Sequence, residues 1–255
     1  MYLYNSPLSF LDEIQAWLFQ EHFIQASIPT ISRTLQRIKW TTKVKRRVAA
    51  QRNQELRDAW LIQLSHFKAQ QLVFVDESGA DERTGNRRNG WAPVGCPVMV
   101  RELLKRTPRW SILPAYTVDG YISTVLFQGS INRERFEDFV IDFLLPRCTP
   151  FPGRNSVLVM DNCAIHQSEV IVRACAHAGV LIRFLPPYSP DFNPIEYSFH
   201  DLKAWIRRNW IHADEYTEFG YFLQEAICQN GGPANAIAHF GACNININGL
   251  TPVAV

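Results

Sequence analysis

The sequence predicts an α/β protein in which a mixed sheet is flanked by helices and preceded by a small all-α segment. Three observations predict it. The runs QLVFVD and NSVLVMD are apolar without polar alternation and each ends in an acid, as central strands buried on both faces do. The runs RWSILPAYT and YISTVLFQG flank Asp119-Gly120, a hairpin-turn pair. From residue 130 onward helical and strand patterns alternate, whereas the first 67 residues read as helix alone.

Taken in order, Phe10, Ile14, Trp17 and Leu18 recur at helical spacing, with Ser9 as the expected N-cap. After a break at QASIP, Ser27 caps a second helix with Pro29 in its first turn. Its apolar face is Ile28, Ile31, Leu35 and Ile38, and its other face shows Ser32, Arg33, Gln36, Arg37 and Lys39. A third helical pattern runs from Val44 to about Phe67 and is basic at its start. RNGWAPVGCPVMV has strand-and-turn character, with Gly and Pro at the breaks. NRERFEDFVIDFLLPRC reads as an amphipathic helix, SEVIVRACAHAG as a helix closed by Gly179, VLIRFLP as a strand, and NPIEYSFHDLKAWIRRNW as a helix opened by Asn-Pro. From about residue 213 the tail reads as helix to about Asn230, and then becomes Gly-rich without a clear pattern.

The composition, with 47% apolar and 20% charged residues in 255, is that of a soluble globular protein. No apolar run approaches the ~18 residues that span a bilayer, so no membrane association is expected. No basic-then-apolar leader opens the chain, and the six scattered cysteines are expected as reduced thiols. The net charge of +2 is uneven: residues 1–70 hold 10 Lys/Arg against 5 Asp/Glu (net +5), and residues 71–255 hold 16 against 19 (net −3). A basic head on a mildly acidic body suits either a polyanion partner or a solvated helix face.

Asp76 and Asp161 end the two apolar strands, where an acid is costly to bury without a partner, a cap or a cation. Adjacent parallel strands bring two such ends together, and their repulsion favours a divalent cation. Glu196 has two readings. With Asn193 as N-cap and Pro194 as the first helical residue, it occupies the capping-box position; alternatively, the helix turns it toward the strand ends as a third carboxylate. Three carboxylates suit Mg²⁺ or Mn²⁺, which take substrate phosphate oxygens to complete their shell. Cys163 and His166 have a spacing zinc uses, but no second pair accompanies them.

The blocks VFVDESG, VLVMDNCAIH and LIRFLPPYSPDFNPIEYSFHDLK, with 34 residues between Asp161 and Glu196, resemble in order the three catalytic motifs of mariner-superfamily transposases, which carry a DDE superfamily endonuclease domain. The resemblance covers roughly residues 72–210. It implies an RNase H-like fold, two Mg²⁺ (or Mn²⁺) ions, and cleavage and joining of DNA. Asp76, Asp161 and Glu196 are then the catalytic and metal-binding acids, supported by Asn162, His166 and Asn193. The head resembles the family's second helix-turn-helix, which makes Thr30, Ser32, Arg33, Gln36 and Arg37, with Arg46 and Arg47 beyond them, the DNA-binding candidates.

The implied organisation is a helix-turn-helix segment over 1–50, expected to be truncated because a further upstream motif is missing. A helical linker over 51–70, a catalytic domain over 71–212 and a helical tail over 213–255 follow. The implied partners are DNA, as transposon ends and target, and a second copy in a homodimer; the implied location is the nucleus in a eukaryote and the cytoplasm otherwise. Phe199 stands where the family often has Trp, and GACNININGL departs from the expected ending. A truncated or domesticated descendant that binds DNA without catalysis, and an interaction protein that reuses the scaffold, remain as alternatives.

Overall fold

A computed structural model of the chain describes residues 2–43, 52–87, 89–99, 108–163 and 166–248. The chain divides into two compact units, Met1–Val48 and Ala49–Val255.

The first unit holds α1 (Tyr2–Asn5), α2 (Leu11–His22) and α3 (Ile28–Arg37). Ser27 caps α3 as expected, its hydroxyl accepting from the Thr30 N–H. Ser9 does not cap α2. The N-cap is Phe10, whose N–H donates to the Glu13 carboxylate at 2.7 Å, while the Ser9 hydroxyl donates to Ser6 O. The turn between α2 and α3 is tied back by Gln15 Nε2 donating to Ala26 O at 2.6 Å. Of the expected apolar face of α3, Ile31 is buried and Leu35 half-buried, while Ile28 and Ile38 are exposed, because so small a unit cannot cover a whole helix stripe. Arg46 and Arg47 lie outside the described residues.

The second unit begins with α4 (Gln54–Leu64), capped by Asn53. Trp60 and Leu64 pack into the same core cluster as Leu72, Phe74 and Phe240, so this helix is part of the unit and not the linker the sequence suggested. A six-stranded sheet follows, from β1 (Leu72–Val75), β2 (Ser78–Ala80), β3 (Trp110–Thr117), β4 (Gly120–Gln128), β5 (Val157–Met160) and β6 (Leu181–Phe184). β1 and β5 pair in parallel, as do β5 and β6; β3 is antiparallel to β1, β2 and β4. The expected buried strands are β1 and β5, every residue of which is buried.

Residues 89–99 form no strand, contrary to the strand-and-turn pattern. Trp91 and Val94 are fully exposed there, so no burial supports a ladder. The hairpin turn is Val118-Asp119, one residue earlier than expected, with Gly120 already paired to Thr117. Gly120 has φ +99 and its absent Cβ would meet Gly231 O at 1.9 Å, so only glycine fits.

Helices cover the sheet. α5 (Arg133–Asp138) continues through a π-helical turn over Phe139–Leu144, and α6 (Glu169–Ala178) ends at left-handed Gly179 as expected. α7 (Pro194–Asn209), α8 (Phe219–Asn230) and α9 (Pro233–Ala242) complete the unit. The last was not legible, because its helical face is masked by Gly and Asn. Ala236 and Phe240 of α9 are fully buried, and Phe240 meets Phe74 edge to face at 5.4 Å between ring centroids. Phe199 is buried in the same core, filling the place expected for Trp. No helix is long and apolar enough to cross a membrane among the described residues.

If α4 is core, Trp60→Ala lowers unfolding stability by about 3–5 kcal/mol in urea denaturation. A change near zero would return the helix to the status of a linker.

Candidate active site

Asp76 and Asp161 follow the last residues of two parallel neighbours. Val75 is level with Met160 in the β1–β5 register, so the two acids leave the sheet side by side at its carboxyl edge. β1 and β2 share one register against β3, with Val75 opposite Ala115 and Ser78 opposite Ile112. That register sets Asp76 against Pro114, which has no N–H to donate to a ladder. The strand therefore breaks at the acid and resumes two residues later.

The third motif arrives on a rigid loop. Asp191 accepts from Arg57 Nη1 at 3.1 Å and Nη2 at 2.9 Å, and from Arg52 Nη2 at 2.7 Å. The Arg57 guanidinium also lies 3.9 Å over the Phe192 ring. Burial alone would raise the Asp191 carboxyl, but the two guanidinium groups hold it below the usual range. Next in the chain, Asn193 is buried and its Nδ2 donates to Asp76 Oδ2 at 2.9 Å. Asn193 is the N-cap of α7, yet its side chain makes no cap bond. Its N–H donates to Pro190 O, not to Glu196. The capping-box reading of Glu196 therefore fails in both halves. Glu196 stands exposed in the first turn of α7, on the same open cleft of about 530 Å³ as Asp76, Asp161, Asn162 and Asn193.

Electrostatics distinguish the three acids. Burial pushes Asp76 up to about 7, against the Glu77 N–H that donates to its Oδ1 at 2.8 Å; the carboxylates of Glu196, Asp161 and Glu77 add to the rise. Burial would raise Asp161 too, but the His166 imidazole and the Cys163 N–H outweigh it and its pKa is lowered. Partial desolvation raises Glu196, the Lys203 ammonium opposes this, and Asp161 reinforces it. His166 is buried against the Phe136 ring, with Nδ1 2.5 Å from Asp161 Oδ1 and Nε2 3.4 Å from Glu77 Oε2. These contacts are close, but neither is aligned as a hydrogen bond. Burial alone would lower His166, but the two carboxylates bring it up to about 10, so it is cationic at neutral pH.

The donor set fits a hard divalent cation. Asp76 is a desolvated carboxylate crowded by anions, and Asp161 Oδ2 accepts no hydrogen bond among the described residues. No three His, Cys, Asp or Glu side chains among the described residues are gathered closely enough to enclose an ion.

In the first unit Thr30, Arg33, Gln36 and Arg37 are exposed on α3, and Ser32 is half-buried. Thr30 is engaged in the cap, its Oγ1 2.9 Å from Ser27 Oγ. Sequence reasoning missed Arg52, Arg57, Asp191 and Glu77. Glu77 could have been found as the second acid beside Asp76. Nothing in the sequence signals a pairing of Arg57 with an acid 134 residues away.

The family model described as DDE superfamily endonuclease matches residues 71–217. No curated protein matches the chain. Among solved structures, the chain is similar to a Mos1 transposase paired-end complex with the left transposon end, at 17% identity and a TM-score of 0.59, over 92% of this chain and 79% of that one. It is similar to the Mos1 strand transfer complex at 17% identity and a TM-score of 0.58, over 94% and 79%. A pre-cleavage Mos1 transpososome matches at 16% and 0.58, over 94% and 80%. At such identities the likeness is one of fold, and the fold is the expected RNase H-like mixed sheet flanked by helices.

Asp76 releases its proton at about 7 in the folded chain and near 3.8 when unfolded. Between those values the folded state holds the extra proton, so this group makes stability fall as pH rises. Asp76→Asn removes that slope. The buried Asn193 Oδ1, which has no partner, can turn to accept from the new amide. At pH 8 in EDTA the variant is expected to be more stable than the parent by about 1–3 kcal/mol, read by urea unfolding. An equal or lower midpoint would count against a strained anionic Asp76.

Proposed function

The chain belongs to the DDE superfamily endonuclease family, and from that premise we propose that it is a metal-dependent DNA endonuclease and strand transferase of the transposase type. The observation that carries the reading is the parallel β1–β5 register, which aligns Asp76 with Asp161 on the cleft that also holds Glu196.

Asp76, Asp161 and Glu196 would hold two Mg²⁺ or Mn²⁺ ions. When bound, such ions lower the pKa of an attacking water or DNA 3′-hydroxyl and offset charge on the leaving oxygen of an in-line displacement. Asn193 holds the Asp76 carboxylate in place through Oδ2, and the Glu77 N–H holds Oδ1. His166 and the Cys163 N–H engage Oδ1 of Asp161, which leaves Oδ2 to take a ligand. The Arg57–Asp191 contact fixes the loop that delivers both Asn193 and Glu196. Exposed Arg33 and Arg37 on α3 supply phosphate contacts for a helix-turn-helix that positions DNA, with Gln36 beside them for base edges. Transposon ends and target DNA are the substrates, and two copies of the chain pair them. The reaction takes place in the nucleus of a eukaryote and otherwise in the cytoplasm.

A second reading, DNA binding without catalysis, draws on the exposed Arg33 and Arg37 of α3, which suit phosphate contacts whatever the cleft does. It predicts salt-sensitive DNA binding and no metal-dependent cleavage.

Plasmid nicking tests the two readings. The parent protein is expected to nick in Mg²⁺ or Mn²⁺ and not in EDTA. Asp161→Ala should cut the rate by roughly 10³-fold or more, the scale on which loss of a charge-stabilising group acts. Undiminished nicking by that variant would sink the site assignment. For the head, joint Arg33→Ala and Arg37→Ala substitution is expected to flatten the slope of log K against log salt by about 2. An unchanged slope would remove α3 from the DNA interface.

A further inference from the structure

Tyr188 stands at the lip of the acidic cleft in a backbone state that tyrosine seldom adopts. Its φ is +54, in the left-handed region where a non-glycine residue pays a conformational cost. The residue is 58% exposed, and its hydroxyl has no partner among the described residues. No side-chain hydrogen bond offsets the strain. The backbone that carries the ring is nevertheless restricted. Prolines at 186, 187 and 190 restrict the backbone on either side. Ser189 is buried and donates to Pro187 O at 3.2 Å, and Asp191 is clamped by two arginines. The loop therefore presents the ring to the cleft and does not fold it away.

The lining of the cleft explains what such a ring can do. Among the described lining residues there are three carboxylates and no lysine or arginine, and Tyr188 is the one aromatic ring. The described side chains of the cleft walls offer a phosphodiester no positive charge of their own. Beyond what cations held by the acids supply, orientation of a strand there falls to neutral contacts. An aromatic face suits this because every nucleobase has a π-face to stack on it, whatever the sequence.

We propose that Tyr188 forms a nucleobase subsite, in which its ring stacks on an unpaired base next to the phosphodiester lying over Asp76, Asp161 and Glu196. The inference rests on the reading of the cleft as a DNA-cleaving site. It makes Tyr188 a substrate-binding residue that orients the strand and leaves charge compensation to the cations.

The test uses the full chain and a DNA duplex carrying a single-stranded tail with 2-aminopurine in it, whose fluorescence falls on stacking. Three proteins are compared: the parent, Tyr188→Phe, which keeps the ring, and Tyr188→Asn, which tolerates the left-handed backbone without one. The parent and Tyr188→Phe are expected to quench the probe. Tyr188→Asn should lose the quench and bind the tailed duplex about 5- to 150-fold more weakly, the measured range for one base–aromatic stack. Its slope of log K against log salt should match the parent, because stacking releases no counterions. Loss of the quench in Tyr188→Phe, or no binding of the tail by the parent, overturns the subsite. Metal-dependent plasmid nicking, measured in parallel, separates the two ideas. Nicking by the parent with unaltered quench and affinity in Tyr188→Asn overturns the subsite and leaves the endonuclease reading intact. Quench lost in Tyr188→Asn, with a parent that does not nick, supports the subsite and removes the endonuclease reading.

Discussion

The parallel pairing of β1 with β5 is the constraint on which the rest depends. Because Val75 is level with Met160, the next residue of each strand emerges at the same height on the same edge. Both of those residues are aspartates. A one-residue slip would send one side chain to the opposite face. Burial of every β1 and β5 residue forbids the slip, since it would exchange apolar residues between two packed layers. The core thus sets the distance between the acids, and Pro114 opposite Asp76 releases that acid from the ladder where the cleft begins.

The second determinant is a set of charges with unequal surroundings. Asp161 is balanced by cationic His166, while Asp76 meets mainly negative neighbours and is pushed up to about 7. The chain stabilises one carboxylate itself and leaves the other short of positive charge. A site built this way gains most from an external cation at Asp76. Two hydrogen bonds, from Asn193 and from the Glu77 N–H, hold Asp76 in place without neutralising it.

Much of this was legible in the chain. The two apolar runs without alternation announced buried strands, and the acids at their ends announced a shared edge. Gly179, Ser27 and Asn-Pro marked helix ends that the structure keeps. The illegible parts share a cause, which is that a local pattern does not reveal its tertiary partner. Helix α4 looked like a linker because its basic approach hid Trp60 and Leu64, which pack on residues of the sheet. Helix α9 lacked a visible face because Gly and Asn interrupt its pattern, and its anchor Phe240 shows its role only in meeting Phe74, far away in the sequence. Ser9 was chosen as a cap on residue type alone, but the Glu13 carboxylate reaches the Phe10 N–H first.

The sequence by itself determined the class of fold and the order of the strands and helices that carry the motifs, because hydrophobic periodicity is local; Glu196 joined the two strand-end aspartates only through the resemblance of its motif to a known family. Only the tertiary structure decided how those acids are placed. Asn193 turns to Asp76 and away from its own helix, and Glu196 stays off the cap, because the Arg57–Asp191 contact holds their loop from a helix more than a hundred residues earlier in the chain. His166 is cationic, and Asp76 is not an ordinary carboxylate, because burial and neighbouring charge shift a pKa and neither is a property of the residue alone.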